Sequence, residues 1–326
     1  MKRLYLHSAA CISPQTSDSP VREFTQSTRD FTCIEPDYKT RIDAKMIRRM
    51  SRIIRMGFFT ALESMEAAGQ VRPGAIISAT GLGCLEDTGV FIEKMISNKE
   101  EMLSPTAFIQ STHNAVAAQI ALSMQNHGYN HTWVQGGISF ENALADAALY
   151  AAEHSEEAIL LIAADEVTNY SRKVLGRFGL SSGDNNDGIP TGEGAVSMIV
   201  SAEQRNSTVC ISACETLYAP GDDEKVLEAL GRWTDNHLRH GEEVIMLSGR
   251  MHPKHDAFFD RATGRYFGQA STLDFKHYCG EYPVVTSFAV WMGRKMLLQE
   301  ETSAGTVVIL NRDPRGYCSF ILLHRC

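Results

Sequence analysis

Cys279 stands directly before Gly280-Glu281 and within three residues of Lys276 and His277. A thiol beside a base can serve as a nucleophile, with His277 or Lys276 as activator. A free cysteine is more commonly a small core residue, and Cys84, just after the turn Gly81-Leu82-Gly83, is open to the same two readings. His237 and His240, with His252, His255 and Asp256 further on, include two His-x-x-His spacings compatible with a metal ion. Such spacing recurs by chance, and histidines at a helix end and in a loop are the plainer reading. Lys45, Arg48, Arg49, Arg52 and Arg55 bring five positive charges with no acid between Ala44 and Leu62. They form either a solvated helix face or a dock for an acidic partner. Gly81, Gly83, Gly192 and Gly194 lack both the dinucleotide fingerprint and a Gly-Lys-Ser/Thr ending, so they read as turn glycines.

These residues sit in a chain of 326 residues, 44% hydrophobic and 21% charged, the balance of a soluble globular protein with a sizeable core. The longest apolar run, Ala158 to Ala164, is far short of the roughly 20 residues of a membrane-spanning helix. The opening Met1 to Ala10 is interrupted by His7 and reads as a first strand rather than a secretory signal. Eight scattered cysteines lack the dense spacing of a disulfide scaffold, which fits a reducing cytoplasm. A net charge of -8 argues against wholesale nucleic-acid binding.

Hydrophobic spacing then supplies the elements. Strands are expected at 4–12, 75–80, 132–135, 157–165, 195–201, 209–215, 243–248, 306–311 and 318–324. Asp43 can cap one long helix running to about Gly69, with Met46, Ile47, Met50, Ile53, Ile54, Phe58, Ala61 and Leu62 along its apolar stripe. Further helices are expected at 86–98, 115–125, 139–153, 222–240 and 288–301, with loops over 13–40 and between 248 and 288. Alternating strands and helices, repeated in shorter form, suggest two similar α/β halves, residues 1–205 and 206–326.

From Leu103 to Asp146 the wording becomes specific: Ser104-Pro105-Thr106-Ala107-Phe108-Ile109-Gln110-Ser111-Thr112-His113-Asn114, then Ala117-Ala118-Gln119-Ile120-Ala121, then Ser139-Phe140-Glu141-Asn142-Ala143-Leu144. This resembles the N-terminal half of a β-ketoacyl-acyl carrier protein synthase, a condensing enzyme of the thiolase fold. Arg48-Arg49-Met50, Gly81-Leu82-Gly83, Ala164-Asp165-Glu166 and Gly192-Glu193-Gly194-Ala195 follow in the family's order. The shorter ketosynthase-like proteins of aryl polyene and flexirubin pathways are the subgroup it most resembles. The resemblance implies a thiolase-like α/β fold of two related βαβαβ halves in five layers (αβαβα), here with the C-terminal half abbreviated, and a dimer.

A decarboxylating condensation needs a thiolate, donors for the malonyl thioester and an oxyanion site. The family places its cysteine at the N-terminus of a buried helix, where N–H groups and the helix dipole favour an anion. Matching the flanking residues puts Gly137 at that position, and glycine cannot be acylated. The family's lysine is matched by Lys276, but Glu281 holds the histidine position that follows it. The other histidine position falls on Ser248, in Leu247-Ser248-Gly249-Arg250, and the glycine-rich turn near the C-terminus is replaced by Asn311-Arg312-Asp313-Pro314-Arg315-Gly316. The resemblance further implies that Lys45, Arg48, Arg49 and Arg52 dock an acyl carrier protein. Phe108, Ile109 and Thr112 would reach toward a partner's acyl pocket, plain core or interface packing being the alternative.

These departures together imply a subunit without condensing activity of its own, of chain-length-factor type. It would pair with an active ketosynthase in type II polyene, polyketide or fatty acid synthesis, in the cytoplasm. No cofactor or metal is expected beyond the visiting phosphopantetheine arm of the carrier protein. Two rivals stand beside it: an enzyme with altered machinery, decarboxylating through Lys276 or transferring acyl groups through Cys279, and a homodimeric acyl-binding sensor.

Overall fold

The computed structural model describes residues 1–27, 31–179, 189–239, 241–251, 253–268, 270–299 and 303–326, without the side chains of 253–255. The first half runs β1 (Leu4–Ile12), α1 (Ala44–Ile47), α2 (Arg52–Ala67), β2 (Ala75–Ala79), α3 (Leu85–Ser97), α4 (Pro105–Gln110), α5 (Ala115–Met124), β3 (Tyr129–Trp133), α6 (Ser139–Glu153), β4 (Ile159–Asp165), α7 (Asn169–Arg177) and β5 (Gly194–Ser201). The second runs β6 (Val209–Tyr218), α8 (Asp223–His237), β7 (Val244–Ser248), α9 (Pro253–Tyr266), β8 (Ser271–Asp274), α10 (Thr286–Leu298), β9 (Thr306–Arg312) and β10 (Tyr317–Arg325).

The strands join in the order β3-β2-β4-β5-β1-β6-β10-β9-β7-β8. Read inward from either edge, the pattern is the same. Two parallel pairings, β3 and β4 on β2 or β8 and β9 on β7, are followed by two antiparallel ones through β5 or β10. The half-sheets meet at a short seam, where Leu4 pairs with Ile211 and Tyr5 with Cys210.

Layering follows from side-chain alternation along each strand. Ile159, Leu161 and Ala163 of β4, and Val307 and Ile309 of β9, share one central core with Phe140, Ala143 and Leu144 of α6 and Phe288 and Met292 of α10. The opposite faces pack outward, Leu160 and Ile162 against Ile53 and Ile54 of α2, and Val308 and Leu310 against Phe258 of α9 and Leu227 of α8. The result is helix, sheet, helix, sheet, helix, the five-layered α/β arrangement of the thiolase-like fold.

Two expectations are corrected. The long helix begins at its Asp43 cap, whose carboxylate accepts from Lys45 N at 2.8 Å, but it breaks after α1 and restarts at Arg52. An unbroken helix would stack Lys45, Arg48, Arg49 and Arg52 on adjacent turns, where like charges repel; the break turns Arg52 inward. The segment expected to be loop between β7 and α10 contains helix α9, with Phe258, Phe259 and Ala262 fully buried.

Candidate functional site

Helix α6 enters the central core from a tight turn, Gly136–Ile138, at the end of β3. Gly136 has φ +60°, a conformation that glycine adopts without strain. Ser139 fastens the turn: its hydroxyl accepts from Gln135 N (2.7 Å) and donates to Gly136 O (2.9 Å). Gly137 is buried at the mouth of the helix, where unpaired N–H groups and the dipole favour an anion.

That place is taken by the loop between β9 and β10. A β-carbon built on Gly137 would stand 2.7 Å from both Cβ and Cγ of Asp313, and one on Gly136 would stand 2.6 Å from Cζ of Arg315. Asp313 is itself buried and saturated. It accepts from Arg315 N (3.0 Å), Arg315 Nε (2.9 Å) and Tyr317 N (2.8 Å). The mouth of α6 is therefore covered by a carboxylate that is held in its own turn and, among the described residues, makes no hydrogen bond to the helix.

Lys276 arrives from a short 3-10 turn, Phe275–Tyr278, directly after β8. Its ammonium is buried and donates to Glu281 Oε2 at 2.5 Å and to Arg312 O at 3.0 Å. Burial pushes the Glu281 carboxyl above its ordinary range, Lys276 pulls it back, and Asp313 and Arg315 act on it with opposite signs. The matched positions Gly137, Lys276 and Glu281 thus share one charged cluster with Asp313 and Arg315. Glu281 also lines a cavity of about 20 Å³, room for about one water molecule.

Ser248 lies at the end of β7, in register with Asp274 and Leu310. Its hydroxyl accepts from Arg250 N at 3.2 Å. Cys279 is fully buried, and burial drives its thiol well above the usual range, although Lys276 opposes this. It holds no activated thiolate. Cys84 is likewise raised, by burial and then by Asp87 and Glu166.

Arg52, grouped above with the docking charges, is corrected to a structural role. It grips Glu193 with two bonds of 2.6 Å, and Glu193 also accepts from Cys33 N and Val167 N at 2.9 Å each. Burial alone would raise the Glu193 carboxyl, but Arg52 and the two N–H groups outweigh it and hold it below the ordinary range. Lys45, Arg48 and Arg49 are exposed. Gln110 of α4 donates its side-chain N–H to Arg49 O, so these charges adjoin Phe108 and Ile109, which are 58% and 60% exposed, and the half-buried Thr112.

His237 is exposed, its ring 5.3 Å from that of Trp233. His240, His252 and the His255 side chain lie outside the described residues. Among the described residues no three His, Cys, Asp or Glu side chains are grouped to hold a metal ion.

Glu141, one turn below Gly137, had no role in the sequence reading. It is fully buried, accepts from the Ser319 hydroxyl at 2.6 Å, and leaves Oε2 without a partner. Burial raises its carboxyl to about 7. The available signal was an acid beside Phe140, Ala143 and Leu144 on the apolar side of α6.

The five layers, with Asp313 covering the mouth of α6 beside a buried lysine, give the chain a thiolase-like fold. Residues 30–172 match the family described as Beta-ketoacyl synthase, N-terminal domain. Solved structures extend the likeness to the whole chain. The ishigamide ketosynthase/chain length factor superposes with TM-score 0.82 at 15% identity, covering 99% of each chain. A type II polyketide synthase ketosynthase, in complex with its acyl-carrier protein and bound to the hexaketide, gives 0.81 at 13% identity over 100% of each. A β-ketoacyl synthase from Burkholderia phymatum STM815 gives 0.78 at 15% identity, again over 100% of each. At these identities the likeness is one of fold. No curated protein matches the chain in sequence.

Proposed function

We propose that the chain is a non-condensing, chain-length-factor-like subunit. It pairs with an active ketosynthase in type II polyene, polyketide or fatty acid synthesis and assists the docking of an acyl carrier protein. One observation carries the reading: Asp313 fills the space that any side chain at Gly137, the position the resemblance gives to the nucleophile, would need. The buried Lys276–Glu281 pair supports it, since an ammonium already bonded to a carboxylate is a poor donor for a thioester.

A partner surface is also at hand. Helices α3 and α4 bury no residue, and Ile96, Met102, Phe108 and Ile109 stand exposed on or beside them. Strand β3 is an edge of the sheet, with one side of its backbone unpaired. Lys45, Arg48 and Arg49 adjoin that surface and suit an acidic carrier protein. Among the described residues no helix is long and apolar enough to cross a membrane.

Co-expression with a ketosynthase encoded beside it, followed by size-exclusion chromatography and a product assay, tests the reading. A stable 1:1 complex that forms product, with no product from the chain alone, is expected. Condensation of malonyl and acyl carrier proteins by the purified chain alone would refute it.

A further inference from the structure

A second feature lies away from α6, on the other side of β1. Past the seam with β6, β1 diverges from its neighbour, and a groove of about 690 Å³ opens over it between α2 and α10. Ala10, Trp291 and Leu298 supply apolar lining, and Arg294 and Lys295 of α10 stand among them. That volume is within the range of small-molecule sites, about 300–1,000 Å³.

Arg294 is the unusual member. Its Nη2 donates to His7 O at 3.1 Å, and its buried Nε has no partner among the described residues. No carboxylate bonds to it among the described residues, and burial opposes its charge with nothing offsetting that cost. The acids of the groove lie with its other cations: Arg41 bridges Glu63, at 3.4 Å, and Glu66, while Asp18 acts on Lys295. Lys295 donates to Ser17 O at 2.6 Å and lies 5.5 Å from the Trp291 ring centre. A half-buried guanidinium with no carboxylate bonded to it among the described residues bears a desolvation cost that an incoming anion relieves.

We propose that this groove binds a medium-length aliphatic carboxylate, its head on Arg294 and its chain along Trp291 and Leu298. Charge alone does not account for the apolar lining, and an uncharged lipid would leave Arg294 unpaired. Benzene fits a cavity of roughly 150 Å³, so an eight-carbon chain and several waters fit here. The proposal is independent of the subunit's reading as a ketosynthase partner.

Calorimetric titration of the full chain with octanoate, octan-1-ol and inorganic phosphate tests it. Octanoate should bind saturably at one site, at least tenfold more tightly than either of the others. Arg294→Met should weaken octanoate at least tenfold. Ala67→Trp, which fills the groove from an exposed position and leaves Arg294 in place, should do the same without lowering the melting temperature, and it serves if Arg294→Met does not fold. Absence of saturable octanoate binding, equal binding of phosphate or octanol, or octanoate affinity unchanged in Ala67→Trp overturns the proposal.

Discussion

The side chain of Asp313 occupies the volume beside Gly137 that any β-carbon there would need, with two of its carbons 2.7 Å from that point. On the proposed function, the glycine at the nucleophile's position and the crowding by Asp313 are separate obstacles. Gly137→Cys alone should destabilise the chain by about 1–3 kcal/mol through overpacking. Its thiol, beside a carboxylate, should react slowly with iodoacetamide. Gly137→Cys with Asp313→Gly should relieve the overpacking, at the expense of the bonds Asp313 makes in its own turn, and should react faster. Rapid alkylation of the single variant would show that Asp313 does not close the site.

The Lys276–Glu281 pair gives a second expectation. Both partners are withdrawn from water, so removing one strands the other's charge. Glu281→Ala should cost about 3–5 kcal/mol in denaturant unfolding. Lys276→Met with Glu281→Leu should lie much closer to the parent, because desolvating an ion pair consumes most of what the attraction returns. A double variant as unstable as Glu281→Ala would show that the pair's charge, rather than its balance, sustains the fold.

What the sequence revealed and what it hid divide along physical lines. β1 and α6 carry their own periodicity and fall on the expected residues, Leu4–Ile12 and Ser139–Glu153. The break before Arg52 was hidden because no proline or glycine marks it; past the break Arg52 bonds Glu193, 141 residues away. Helix α9 was passed over because its histidines and proline suggested loop, although Phe258, Phe259 and Ala262 share one face. Gly137, Lys276 and Glu281 were singled out by family resemblance, and the structure brings them into one cluster. Asp313 beside Gly137 and Ser319 beside Glu141 were not, since such contacts arise only when the two halves close on each other.

The basic segment separates structural from docking charges. Arg52→Ala should cost about 3 kcal/mol by leaving Glu193 buried without its counter-ion. Arg48→Ala and Arg49→Ala should change stability by no more than about 0.5 kcal/mol, as is usual at exposed sites. On the proposed function they should weaken carrier-protein binding, and the remaining difference should shrink as salt rises. Unfolding curves and surface plasmon resonance at two salt concentrations measure both effects. Carrier affinity unchanged in the Arg48→Ala, Arg49→Ala double variant would remove the docking role.

Glu141 makes stability depend on pH in a definite direction. Its carboxyl rises from 4.5 to about 7 on folding because burial penalises the charged form more than the Ser319 hydroxyl favours it. Between those values the unfolded chain has released the proton and the folded chain still holds it, so unfolding becomes easier as pH increases. The stabilisation is complete below about 4.5 and is lost as pH climbs through about 7. Asp165 and Glu166, also raised by burial to about 6 and about 7, act in the same sense; Glu193, held low, acts oppositely as pH falls. Glu141 alone should lower the unfolding free energy by on the order of 1–3 kcal/mol between pH 5 and pH 8. Glu141→Gln keeps an acceptor for Ser319 and has no proton to lose, so its urea midpoint should vary less with pH and exceed that of the parent at pH 8. Parallel pH curves for the two proteins would mean that Glu141 is hydrated or paired in solution, and that the charge at the heart of α6 is not desolvated.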